Sequence, residues 1–148
     1  MPFRQSAVVP LLLIAGACDP HIEGHIEPGS RRDSLVIHAF RSPDSSSGQS
    51  IFQLSVTGCD TLAAPRVFWR VDRSDGGDGN GGAYYRFGST LAHGWVTTYK
   101  ADSLTPGCYL LDVRGGGIGG AQWFTVDVTG AVRTFDYNPL YPPAAAPR

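Results

Sequence analysis

The side chains best suited to chemistry lie near the start of the chain, where His21, Glu23, His25 and Glu27 alternate with other residues in HIEGHIEP. On an extended chain, side chains at i and i+2 share a face, and imidazoles interleaved with carboxylates are donors that Zn²⁺ or Cu²⁺ accepts. Chelation requires the segment to be ordered and to find a partner ligand elsewhere. The surrounding charges and turn formers read instead as a flexible linker, so no metal and no other cofactor is expected. A second oxygen-rich set, Asp72, Asp75, Asp78 and Asn80, lies in DRSDGGDGNGG. Its spacing fits neither the EF-hand loop nor the Ca²⁺-binding nonapeptide repeat, which leaves a glycine-rich connection between strands. The sequence has no Gly-x-Ser-x-Gly elbow for a nucleophile, and the remaining histidines, His38 and His93, each stand beside apolar residues. The run GGGIGG at 115–120 carries no Lys and leads into a strand pattern, so it reads as a hairpin loop and not as a phosphate cradle. An enzyme is not expected, and a small hydrolase is the least favoured reading.

Three cysteines, Cys18, Cys59 and Cys108, carry the remaining chemistry. Residues 1–17 open with Arg4 and run into AVVPLLLIAGA, eleven residues without a charge. A membrane-spanning helix needs about 18 or more apolar residues, so this run reads as the core of a signal peptide. It ends in Ile14-Ala15-Gly16-Ala17-Cys18, which resembles the lipobox of bacterial lipoproteins, where small residues precede a cysteine that is acylated before cleavage. The resemblance implies a cut before Cys18, lipid on that cysteine, and a domain held at an envelope membrane, facing the periplasm or the exterior. More than one acyl chain makes such anchoring stable. Assigning Cys18 to lipid leaves Cys59 and Cys108 as a candidate disulfide in an oxidising compartment.

These residues must be positioned by a single domain, since 148 residues suit one core. The formal charge is -1, and removing residues 1–17 takes away only Arg4, leaving -2 on the mature chain. That balance offers no electrostatic footprint for nucleic acid. Nineteen Gly and eleven Pro put an unusual share of the chain into turns and argue against long helices. Residues 18–33 read as the lipidated cysteine and a flexible tether. From residue 34 a period-2 alternation begins, with strands expected near 34–40, 50–57, 66–72, 83–88, 94–100, 108–114 and 121–128, and an eighth over 131–137. The Pro- and Ala-rich stretch 138–148 should be loose. Seven to eight short strands in residues 34–137 predict an all-β fold, a single antiparallel sandwich.

The segments Leu104-Thr-Pro-Gly-Cys-Tyr109-Leu-Leu-Asp-Val113 and Gln122-Trp-Phe-Thr-Val-Asp-Val128 resemble the last two strands of immunoglobulin-like and fibronectin type III-like domains, where a Leu-x-Pro-Gly turn opens a strand bearing a core Tyr. The resemblance implies an immunoglobulin-like sandwich. Strictly alternating strand directions would put Cys59, after the second strand, and Cys108, at the start of the sixth, at opposite poles. Either a long connection fails to reverse the chain or the two cysteines are not bonded. Alternation turns Val67, Trp69, Val71, Tyr109, Leu111, Val113, Phe124, Val126 and Val128 inward. The opposite face then offers Phe68, Arg70, Leu110, Asp112, Arg114 and Trp123 as a candidate binding face, with cross-strand pairing of Arg70 and Asp112 as the plainer alternative. The expected protein is a non-enzymatic, lipid-anchored interaction or assembly module, its partner an envelope protein or a glycan.

Overall fold

The computed structural model describes residues 22–41, 51–59, 64–74, 82–91, 94–115 and 119–143, Arg41 and Gly82 by their backbone alone. Cys18, His21, His93, Asp75, Asp78, Asn80 and residues 116–118 and 144–148 lie outside the described residues. Among the described residues, alternating apolar residues produce nine strands: β1 (Ile22–Ile26), β2 (Val36–Arg41), β3 (Ile51–Gly58), β4 (Val67–Arg73), β5 (Gly82–Arg86), β6 (Trp95–Tyr99), β7 (Gly107–Gly115), β8 (Gly120–Val126) and β9 (Val132–Phe135). They form two antiparallel sheets, β1-β2-β5 and β6-β4-β3-β7-β8-β9. The fold is the expected all-β sandwich, with one strand more than the alternation indicated. Its division into three and six strands is far less even than that of immunoglobulin domains.

The core lies between the sheets. Ile22, Ile26, Ile37, Ala39 and Tyr85 from the small sheet meet Leu54, Val56, Trp69, Val71, Leu111, Val113, Phe124 and Val126 from the large one. Of the residues expected to point inward, Val67 is half-buried, and Val128 lies beyond the end of β8 and is 83% exposed. The side chain of Tyr109 is buried, and its hydroxyl donates to the Thr105 carbonyl at 2.6 Å, fixing the Leu-x-Pro-Gly turn against the strand that follows.

The tether is the first correction. Residues 22–26 form β1, paired along its length with β2, and Ile22 and Ile26 are core residues. The turn formers reverse the chain: Pro28 and Gly29, with Gly29 at φ 80°, occupy the centre of a turn closed by the Ser30 amide donating to the Glu27 carbonyl at 3.1 Å. β1 reaches across to the other sheet, where the Ile26 amide donates to Gln122 Oε1 at 2.6 Å. The approach is close enough to exclude side chains. A Cβ on Gly24 would sit 2.3 Å from Val113 Cγ2, and one on Gly120 would sit 2.5 Å from the Ile22 carbonyl oxygen. The expected loose tail is corrected in part, since residues 138–141 make a turn in which the Tyr141 amide donates to the Asn138 carbonyl at 2.9 Å.

Cys59 and Cys108 are bonded, with Cα atoms 5.3 Å apart. β3 and β7 are antiparallel neighbours, Gly58 lies opposite Tyr109, and the Cys59 amide donates to the Cys108 carbonyl at 3.1 Å. The conflict with strict alternation is resolved between β5 and β6. A Cβ on Gly88, just past β5, would sit 3.0 Å from that of Ala101, just past β6, so the two strands run the same way in different sheets. Their connection therefore returns the chain without reversing the next strand. The disulfide joins adjacent strands of one sheet, unlike the inter-sheet bond of the immunoglobulin pattern.

Candidate binding surfaces of the two sheets

On the outer face of the large sheet, the ladder places Tyr99, Arg70, Ser55, Asp112 and Ala121 in one row, and Thr57, Leu110, Trp123 and Phe135 in another. Five of the six residues expected on this face share it. Phe68 does not, and this is a correction with a clear cause. Val56 pairs with Trp69 but Thr57 pairs with Val67, so Phe68 is an extra residue in β4. The bulge breaks alternation locally, and Phe68 and Trp69 are both buried. Phe68 packs edge-on against Tyr109 with ring centroids 5.0 Å apart, and the Arg66 guanidinium lies 4.8 Å from the Phe68 centroid.

The charged pairs of the face form within single strands. Arg70 grips Asp72 two residues on, Nε to Oδ2 at 2.9 Å and Nη2 to Oδ1 at 3.0 Å, while Arg114 Nε donates to Asp112 Oδ2 at 2.7 Å. The cross-strand pair of Arg70 with Asp112 is not what forms. Asp72 also accepts from Gln53 Nε2 at 2.7 Å and from the Thr98 hydroxyl. Partial burial pushes the Asp72 carboxyl up, but the hydrogen bonds from Arg70, Gln53 and Thr98 outweigh it and hold the pKa at about 2. An unfolded Asp ionises near pH ~4. The network's contribution is therefore complete above about pH 4 and lost as the pH falls through about 2. Urea midpoints taken down that range should fall more steeply for the parent than for Asp72→Asn. Equal slopes would show that the network is not linked to folding.

The apolar part of this face is less covered. Leu110, Trp123 and Phe135 stand opposite one another on β7, β8 and β9, each half-buried, with the exposed Tyr137 ring 5.8 Å from that of Phe135. The final strand lies beside Trp123 and not over it.

The second surface is the outer face of the small sheet, assembled in three rows. His25, His38 and Tyr84 are directly opposite one another across β1, β2 and β5, and Glu23 lies opposite Phe40 in the next row. On the other side the Glu27 amide bonds to the Val36 carbonyl at 2.9 Å, and Val36 pairs with Arg86. The His38 ring stacks on Tyr84 with centroids 4.3 Å apart and planes 6° from parallel, while Phe40 lies 5.5 Å from His25 and 4.7 Å from His38. Tyr84 is 66% exposed. Sequence reasoning found Glu23, His25 and Glu27 but missed His38, Phe40 and Tyr84. The available signal was the alternation in Leu35-Val-Ile-His-Ala-Phe40, whose inward Leu35, Ile37 and Ala39 leave His38 and Phe40 outward.

Comparison with protein-family models, curated proteins and solved structures returns no match.

Proposed function

We propose that this chain is an exported lipoprotein, cut before Cys18 and anchored to an envelope membrane through lipid on that cysteine, whose sandwich is a non-enzymatic interaction module. The observation that carries the module reading is the row Leu110, Trp123 and Phe135, three large apolar side chains held in register on adjacent strands and left half-open to solvent. Rigid aromatics of this kind give much contact area at small entropic cost and dominate the energy of many interfaces. The disulfide between Cys59 and Cys108 supports export, since such bonds persist in oxidising compartments.

Mass spectrometry of the mature N-terminus tests the anchor. Acyl groups should be found on Cys18, and Cys18→Ser should leave the precursor unlipidated and uncut at that bond. An unmodified mature chain beginning at Cys18 would overturn the anchor. Capture from envelope extract tests the surface: Trp123→Ala should weaken it with no change in melting temperature, whereas a variant that loses stability but not capture would make Trp123 purely structural. Capture that survives protease treatment of the extract would make the partner a glycan.

A further inference from the structure

The alternating His and Glu residues near the start of the chain suit a metal ion only if that segment is ordered and meets a further ligand. The fold orders residues 22–26 and sets a further histidine opposite them. Glu23 and His25 lie on β1, hydrogen-bonded along β2, Glu27 follows its end, and His38 stands directly opposite His25 in that ladder. We infer that the outer face of the three-stranded sheet is a binding site for a divalent cation of the Zn²⁺ class, held by His25 and His38 across the two strands with Glu23 and Glu27 beside them.

The donor chemistry comes first. Imidazole nitrogen and carboxylate oxygen are the donors Zn²⁺ takes at about 2.0 to 2.2 Å, and tetrahedral geometry sets two such donors roughly 3.3 Å apart. His25 Nε2 lies 3.1 Å from Glu23 Oε2, and His38 Nδ1 lies 3.8 Å from Glu27 Oε1. The first contact is a hydrogen bond whose shared proton an ion would replace, and the second is an open ion-pair separation. Among the described residues no three donors yet converge on one point. With His38 held by the Tyr84 ring, His25, Glu23 and Glu27 are the side chains that would turn between staggered wells to join it. The surface leaves room for it, because the His25, Glu23 and Glu27 side chains are 49%, 42% and 37% exposed.

The neighbouring rings favour the same use. Tyr84 stacks flat on His38 and limits its orientation, while Phe40 lies against both imidazoles. An apolar wall on one side of the donors reduces competing water and strengthens their attraction for a cation. Two isolated surface His–Glu contacts would contribute little to stability in themselves.

The test uses the full chain, purified in detergent, stripped with chelator and titrated with ZnCl₂ under equilibrium dialysis. The inference expects one Zn²⁺ per chain at micromolar affinity, a melting temperature raised by the metal, and a loss of roughly tenfold or more in affinity for each of His25→Ala and His38→Ala. His38→Gln keeps a planar polar group on Tyr84 and should lose the ion without losing the fold. No uptake by the parent chain would overturn the site. So would uptake unchanged in either histidine variant, which would place the ion on other groups.

Discussion

Replacing Trp69 by Ala should lower the free energy of unfolding by about 3–5 kcal/mol, enough to unfold a marginal domain. Trp69 is 1% exposed, lies opposite Val56 of β3 on the inner side of the large sheet and meets Phe87 edge-on at 5.5 Å. Truncation would open a cavity that β-sheet backbones on both sides cannot collapse to fill. The β4 bulge adds a second expectation, because strict alternation would put Phe68 in solvent and make its loss neutral. With Phe68 buried against Tyr109, Phe68→Ala should also cost several kcal/mol, about 3 or more. Urea unfolding followed by tryptophan fluorescence and circular dichroism measures both. An unchanged midpoint for Trp69→Ala would put that ring outside the core, and an unchanged midpoint for Phe68→Ala would remove the bulge.

Removing the disulfide should cost nearly as much. The bond closes a loop spanning 49 residues, and the loss of loop entropy from the unfolded chain stabilises the fold by about 4 kcal/mol on the chain-entropy model. Little native strain should offset this, since β3 and β7 are already hydrogen-bonded neighbours where the cysteines meet. The double replacement Cys59→Ala with Cys108→Ala should therefore lose about 2–4 kcal/mol. The parent chain should fall to a similar stability in reductant, while the double variant should not respond to it. Identical parent midpoints with and without reductant would show that the two thiols are not joined.

The eight strands from residue 34 onward were legible because each carries a run of alternating residues bounded by turn formers. β1 was not, for a physical reason. Its inward residues are Ile22, Gly24 and Ile26, and the central one is glycine because Val113 occupies the space a side chain would need. Close packing thus erased the apolar alternation by which a strand is recognised. Phe68 was misplaced because a bulge depends on two strands together and leaves no mark in one of them. The pairing of Cys59 with Cys108 turned on whether β5 and β6 lie in one sheet, which residue patterns in single strands do not encode. The large-sheet face was readable except at that bulge. The small-sheet face was hidden because three of its four donors, Glu23, His25 and Glu27, sat in a segment whose charges and prolines resemble those of a linker.

The folding of residues 22–26 into the sandwich would also fix how far the domain could stand from a lipid anchor on Cys18. A free linker from 18 to 33 would act as a leash of about 50 Å when fully drawn out. With β1 built into the sheet, only the step from Cys18 to Ile22 is left, and four residues reach at most about 14 Å. A lipid on Cys18 would then hold the sandwich almost at headgroup height, free to diffuse in the plane of the bilayer but not to sample the volume above it. Its encounters would become a two-dimensional search, and partners farther out in the envelope would be met only where they come down to the membrane.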